Sequence, residues 1–486
     1  MKRQLTALAL AGMMTLGLAA CGNGDEKKPT DTAADNTPAS SMVPGDNQRA
    51  LAGKDMDGRV FKLASWDAAY MSTKETIVEP DPEVSTDYDI EKMKYDHFMG
   101  LLEDYNCDIA NVVIDHGQLL DSLATSVMAG DPIGDWITLV NDDVLSAALG
   151  NLIVPFNEFL PADHDLFTTK QYTRPVGEVA GKVWTVQPYG LNTDGTFLGV
   201  NLDIIRAIGA PNPVELYERG EWTVDNFMEI CRLATKDTTG SGSIDQYGIS
   251  GFSNEIVSGL LAANGVTPVT DDFKFGYDSP QAMYTLETIY QIFAIDRTFN
   301  FDPNSGAAFW DFNRNTYAFQ EGRSCFFVAA FWIMPDAGDW AFDYTAVPFP
   351  KGPSYDGHSF FMSFGMGVGV PRGTINPEDA FLIYEKYWNW YGEDPELLTE
   401  GQMLYPYSKF KTEAEAERIM DVLNNQLRFD IGGSVLVDGW GYSWINGTFA
   451  HEFYEGYSTP VQMVESGKQR YQDMLDTVLK PLLAAE

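Results

Sequence analysis

The order of segments after residue 58 constrains this chain more than any other feature. Arg59-Val-Phe-Lys-Leu-Ala-Ser65 alternates as a strand should and ends at Trp66-Asp67. A helix is expected from about Asp89 to Tyr105, because Phe98, Leu101, Leu102 and Tyr105 share one face at helical spacing. Ile109–Ile114, rich in Val and Ile, reads as a second strand. Strand, helix and strand in that order imply parallel strands joined by a crossover.

The pattern repeats. Leu119, Leu120, Leu123 and Val127 define a helix ended by Gly130, and Trp136–Val140 is a third strand. Asp142 is placed to cap a short helix, Val144–Leu149, closed by Gly150. The expected class is α/β, with ligands at the loops that follow the C-terminal ends of the strands.

Later helices carry start signals: Thr223 before the Phe227/Ile230/Cys231/Ala234 face, Ser279-Pro280, Asn376-Pro377, the Thr412/Glu415 capping-box spacing, and Thr459-Pro460. Between them lie strand-like stretches at Lys182–Gln187, Phe197–Asn201, Cys325–Phe331, Tyr344–Phe349 and Gly365–Val370. With 486 residues the chain has material for two domains of ordinary size.

The beginning of the chain reads as an address. Lys2 and Arg3 precede an uncharged apolar segment, Leu5–Leu18, which is too short to span a bilayer and has the flanks of an export signal. Leu18-Ala19-Ala20-Cys21 resembles the bacterial lipobox, in which the cysteine becomes the acylated first residue; an ordinary signal with an incidental cysteine is the alternative. Residues 22–50 contain no aromatic side chain and are rich in Asp, Thr, Ala, Pro and Ser, a composition that cannot offset ordering entropy by burial. Such a tether has a span of roughly 30 Å. Residues 1–20 are therefore read as a lipoprotein signal peptide and 21–57 as acylated Cys21 and tether, which places the folded body outside the cytoplasm, anchored to the cell membrane.

Net charge argues against nucleic acid. The formal charge of −38, from 32 basic and 70 acidic side chains, repels phosphate backbones. No P-loop, GxSxG elbow or HExxH pair occurs, and the five histidines are scattered. Gly365-Met-Gly367-Val-Gly369 lacks nucleotide-loop spacing and reads as close packing in a strand. Cys107, Cys231 and Cys325 are too few and too far apart for a disulfide framework or a zinc site. Asp237–Asp245 outlines a calcium loop but supplies only two carboxylates and has Gly248 where a bidentate Glu belongs, so a Gly/Ser turn is the expectation. No catalytic residue, metal or cofactor is assigned.

Aromatic residues carry the remaining information. Among 11 tryptophans, Trp66, Trp332, Trp440 and Trp444 stand at strand ends or in loops, where flat rings can stack on sugar C–H faces while Asp, Asn and Arg bond hydroxyls. The helical aromatics Tyr384, Tyr387, Trp388 and Tyr391 are expected in the core.

From about Arg59 onward the order of four stretches is similar to that of extracellular solute-binding lipoproteins of ABC importers, the carbohydrate-binding family that includes maltose-binding protein. The stretches are Leu123–Leu160, Gly181–Ile205, "WTVDNFMEICRLATKDTTGSGSIDQYGISG" at Trp222–Gly251, and "FQEGRSCFFVAAFWIM" with "FDYTAVPFPKGP" within Phe319–Pro353. The resemblance implies a two-lobed type II binding-protein fold with a hinge, the first lobe taking 58–195 and 346–395 and the second 196–345 and 396–486. It implies ligand contacts between the lobes at Trp66, Asp67, Asp142, Tyr189, Asp194, Trp332, Trp440 and Tyr442. Trp332 stands where the family's tryptophan stacks on a sugar. The implied partners are a small-molecule ligand, carbohydrate first, and the permease subunits of an importer, with the protein a monomer. A binder of peptides or another small solute, and an extracellular glycoside hydrolase, remain the alternatives.

Overall fold

The computed structural model describes residues 54–483, apart from 86, 171–172, 180, 192, 194, 271, 301–316, 357–359, 362–365, 426 and 429–440. Its first sheet grows from β1 (Arg59–Ser65), whose Phe61, Leu63 and Ala64 are fully buried. β1 pairs in parallel with β2 (Cys107–Val113) and with β3 (Trp136–Val140), as strand–helix–strand order requires. The helices between them are α1 (Tyr88–Asp104) and α2 (Leu119–Ala129), the second ended by Gly130 at φ 72°.

α3 (Asn141–Leu149) departs from expectation. It begins two residues earlier than a cap at Asp142 would allow; Val140 is the N-cap and Asp142 lies inside the first turn. Gly150 keeps a right-handed φ of −70°, and Asn151, at φ 52°, takes the left-handed position instead.

β4 (Ile153–Val154), β5 (Thr173–Val179) and β6 (Lys182–Pro188) complete the local part of the sheet. β7 (Phe197–Asn201), β8 (Tyr247–Ser250), β9 (Ser324–Ala329) and β10 (Tyr344–Val347) form a second sheet in the order β10-β7-β9-β8. β9 stops before Phe331, which opens a 3-10 turn, Phe331–Ile333, instead of extending the strand. A two-residue pair links β11 (Phe360–Phe361) with β13 (Leu427–Arg428). β12 (Met366–Pro371) returns to the first sheet, whose order is β2-β1-β3-β12-β6-β5 with β4 beside β12. There the glycine-rich stretch packs tightly: a Cβ on Gly367 would lie 2.6 Å from Thr185.

Between β7 and β8 come α4 (Leu202–Ile208), α5 (Pro213–Glu218) and α6 (Val224–Ala234). α7 (Ser253–Ala263) and α8 (Pro280–Tyr290) follow β8. After β12 come α9 (Pro377–Trp388), α10 (Pro395–Ser408) and α11 (Glu413–Asn425), then α12 (Gly441–Glu455) and α13 (Pro460–Met474), which continues through a π-helical segment, Leu475–Leu479, into a last turn, Lys480–Leu483. Caps explain several starts: Thr223 and Ser279 each accept an N–H from the first turn, and Thr459 forms a full capping box with Gln462. Asn376 does not cap α9; it holds φ 48° and its side chain makes no cap bond. At Thr412 the Glu415 carboxylate accepts from both the backbone N–H (3.1 Å) and the hydroxyl (2.9 Å).

Two buried tryptophans tie helices and sheets together. Trp136 Nε1 donates to the Ala380 carbonyl of α9 at 3.0 Å, and Trp222 Nε1 to Pro348 at 2.8 Å. Each satisfies a buried donor while filling core volume. Cys231 and Cys325 are wholly buried beside this second core, and Cys107 is buried in the first.

Candidate functional site

The parallel strands β1 and β3 deliver their C-terminal ends to one edge of the first sheet. Trp66 emerges there from β1, partly buried, its ring edge-on to His116 with centroids 4.8 Å apart. Asp67 is exposed, and its Oδ1 accepts the Ala69 N–H at 2.8 Å. Asp142 sits on α3 and Tyr442 on α12, two helices that pack against each other.

In the second sheet β8 and β9 are also parallel, so their ends lie together. Trp332, in the turn after β9, is half-exposed and leans on Phe252, which follows β8, at 6.0 Å between ring centroids. The last residue of β9, Ala329, pairs with Phe197 at the start of β7, where the crossover from the first sheet arrives. Asp194 and Trp440 lie outside the described residues.

Tyr189 belongs to a different feature. A cavity of about 950 Å³ opens beside β12, β6 and β5, a volume within the roughly 300–1,000 Å³ of small-molecule sites. Arg174, Gln187 and Met366 belong to three adjacent strands of its lining. They are cross-linked: Arg174 Nη2 donates to Gln187 Oε1 at 3.1 Å and Gln187 Nε2 donates to the Met366 carbonyl. α1 contributes Lys94, Tyr95 and Phe98; the end of α9 contributes Tyr387 and Trp388, followed by Trp390 and Tyr391. The crossover contributes Tyr189, Leu191 and Thr193, α10 contributes Gln402 and Tyr405, and the β1–α1 loop contributes Tyr70 and residues 77–85 at intervals. Among the described residues expected to touch ligand, Tyr189 lines this cavity, and Trp66, Asp67 and Trp332 do not.

Electrostatics inside the cavity are largely settled within the protein. The Lys94 ammonium donates to the Gly401 carbonyl at 3.2 Å and lies 4.7 Å from the Trp390 ring centroid, and burial pushes its pKa below the usual lysine value. Gly401 makes room for that ring, since a Cβ there would stand 2.4 Å from it. Elsewhere in the first-sheet layer, Glu385 on α9 accepts from the Thr173 hydroxyl at 2.9 Å and lies 3.7 Å from His164. Desolvation pushes the Glu385 carboxyl up to about 8 and lowers His164.

Periodicity assigns Tyr384, Tyr387, Trp388 and Tyr391 to the core. Tyr384 and Tyr391 are buried as expected, Tyr387 and Trp388 are partly buried against the first core, and all but Tyr384 also line the cavity. One signal was available: aromatic residues continue at Trp390 and Tyr391, beyond the end of α9, where no helical face requires them.

Among the described residues no group of His, Cys, Asp and Glu could hold a metal ion. The Asp237–Asp245 loop is a turn whose carboxylates are used by its own backbone: Asp237 accepts from Thr239, Gly240 and Gly242 N–H at 3.0, 2.7 and 2.6 Å. Asp245 accepts from Thr238 at 2.7 Å.

Known structures place this fold. An ABC substrate-binding protein of Listeria monocytogenes, solved with cycloalternan, aligns over 86% of this chain and 100% of its own at TM-score 0.60 and 15% identity. A maltose/maltodextrin-binding domain of Bdellovibrio bacteriovorus bound to maltotriose covers the same shares at 0.55 and 13%. A solute-binding protein of Thermotoga lettingae bound to α-D-tagatose does so at 0.56 and 14%. At such identities the likeness speaks for the two-lobed α/β fold. No curated protein matches the chain significantly by sequence. The family model described as bacterial extracellular solute-binding protein matches residues 90–385, and the chain belongs to that family.

Proposed function

We propose that this chain is a lipid-anchored, extracytoplasmic binding protein that presents a sugar or oligosaccharide to an ABC importer by closing two lobes over it. The family supplies the general role, binding a solute outside the cytoplasm. The sugar reading is carried by one observation in particular: Trp332, a half-exposed tryptophan ring at the C-terminal end of β9, at the edge reached by the crossover. The saccharides held by the three structural neighbours support it.

In this reading the first lobe is 58–195 with 346–395 and the second 196–345 with 396–486. Trp66, Asp67 and Trp332 contact the ligand from the strand ends, Asp142 and Tyr442 from α3 and α12, Tyr189 and Asp194 from the crossover, and Trp440 completes the set. A ligand touching both lobes only when they are closed shifts the open–closed equilibrium by its differential affinity. The closed form is then the one the permease subunits select. No bond is made or broken. Cys21, acylated, tethers the monomer to the membrane; among the described residues no helix is long and apolar enough to cross it.

A thermal-shift screen across neutral saccharides, peptides and polyamines tests the ligand class. Saccharides are expected to raise Tm and to be recovered intact; a shift with peptides alone would overturn the sugar reading. For the anchor, Cys21→Ala is expected to release the protein into the soluble fraction.

A further inference from the structure

We infer that residues 78–84 of the β1–α1 loop form a lid over the 950 Å³ cavity, held open by Glu79 on Lys92 and closed by Glu79 on Lys94. The lid is part of the fold itself and needs neither cargo nor importer, so its test is independent of the function proposed above.

Firm anchors frame a lightly tied middle. Before the strap, Asn111 Nδ2 donates to the Ala68 and Met71 carbonyls, each at 2.8 Å, and the Ser72 N–H donates to the Tyr387 hydroxyl at 2.8 Å. The Ile77 N–H then reaches the Thr73 carbonyl at 2.9 Å. After the strap, the Ser85 hydroxyl donates to Glu91 of α1 at 2.5 Å. Between these anchors the backbone bonds only within the loop, the Val84 and Ser85 N–H groups both reaching the Asp81 carbonyl, at 3.0 and 2.9 Å. Among the described residues the one polar contact from 78–84 to the rest of the body is Glu79 with Lys92, 3.5 Å apart and exposed. Such a pair holds weakly. Pro80 and Pro82 each fix a φ angle, so the strap turns at its ends and not within.

Apolar surface favours closing. Val78 and Val84 are 81% and 77% exposed although both line the cavity. Turned inward, they lose that exposure against a wall that includes Trp390 and Tyr405.

Charge supplies the two positions. Lys92 and Lys94 stand two residues apart on α1, about 200° around the helix, so they face opposite ways. Lys92 holds Asp96 and Glu79 on the outer side. Lys94 lines the cavity, where its ammonium meets the Gly401 carbonyl at 3.2 Å and the Trp390 ring at 4.7 Å, both neutral groups. Burial already disfavours its charge, and Glu91 and Asp87 compensate only in part. Glu79 lines the same cavity and is the carboxylate the lid can bring to it. Only Glu79 then loses hydration, since Lys94 is desolvated in the open form. The new pair is less screened by water than the one it replaces.

The test attaches a bimane to Val84→Cys in the full chain carrying Cys21→Ser, where the other cysteines are buried. Quenching of the dye by Trp390 is read as the part that Trp390→Phe removes. Lys92→Gln frees Glu79 from the outer side and is expected to raise that quenching about twofold. Lys94→Gln keeps a donor for the Gly401 carbonyl, removes the inner charge and is expected to lower it about as much. Hydrogen exchange of the unlabelled protein gives a second reading: the Val78 and Val84 amides should exchange more slowly in Lys92→Gln than in Lys94→Gln. Both shifts in the stated directions support the lid. Equal quenching in all variants, quenching that owes nothing to Trp390, or equal exchange in the two lysine variants would overturn it. A rise in Lys92→Gln without a fall in Lys94→Gln would overturn the exchange of partners on which it depends.

Discussion

Gln402 straddles Gly190. Its Oε1 accepts the Leu191 N–H at 2.8 Å while its Nε2 donates to the Tyr189 carbonyl at 3.0 Å, so a side chain of α10 imitates a strand beside the crossover. Gly190 holds φ 112°, and a Cβ there would sit 2.2 Å from Gln402 Oε1. Only glycine lets the amide approach both neighbours. Gln402→Ala removes both bonds and is expected to cost about 1–2 kcal/mol. Hydrogen exchange is the sharper readout: the Leu191 amide should lose protection in Gln402→Ala while amides in β1 and β3 keep theirs. Unchanged exchange at Leu191 would show that the crossover does not depend on this clamp.

Trp332 is the ring on which the sugar reading leans. Its support comes from Phe252, and half its surface is open. Trp332→Ala should therefore fold normally, since little core volume is lost, and should weaken cargo saccharide more than tenfold, about 1.4 kcal/mol. Matching thermal unfolding with equal affinity in calorimetry would take Trp332 out of the site.

Glu385 makes stability depend on pH. Burial raises its folded pKa to about 8, above the ordinary 4.5, so the folded state keeps a proton that the unfolded chain releases. The stability this proton supplies is complete below about pH 4.5 and is lost as pH rises through about 8. His164, lowered by burial, acts in the opposite sense: the folded state keeps it neutral, so stability falls as pH drops through the ordinary histidine range. Glu385→Gln preserves an acceptor for the Thr173 hydroxyl and removes the titration. Urea midpoints should then lose their downward slope between pH 5 and pH 8, and the variant should exceed wild type at pH 8. A slope that persists in the variant would assign the effect to another group.

The sequence made the first sheet legible because its elements obey local rules. β1 and β3 run over the expected residues, since alternation and a Val/Ile-rich run between turn signals leave little choice. The start of α3 is not set by a side-chain cap: Asp142 is a good capping residue, but the helix begins at Asn141 directly after β3, with Val140 in the N-cap position. The cavity was not legible. Its wall combines a loop near Tyr70, a strand end at Gln187, the tail of α9 and one face of α10, elements that no spacing rule connects. Periodicity could say that Tyr387 and Trp388 pack on something, not that their free edges face an opening. Tyr189 has no pattern of its own in the sequence; only the family resemblance points to it.

The three folded-core cysteines give a final prediction about dynamics. Cys107, Cys231 and Cys325 are free and buried, and burial raises each thiol above its ordinary value, Cys107 to about 11. A thiol both inaccessible and protonated does not react with a disulfide reagent at neutral pH. The full chain with Cys21→Ser should therefore show no prompt thiol titre. Under urea all three should label with the kinetics of unfolding if the lobes open as one unit. Cys107 lies in the core around β1 and β2, whereas Cys231 and Cys325 share the core of the second sheet. Should the lobes unfold separately, Cys107 will label with one rate and the other two with a common second rate. Prompt labelling of any of them in native buffer would contradict the packing described for its core.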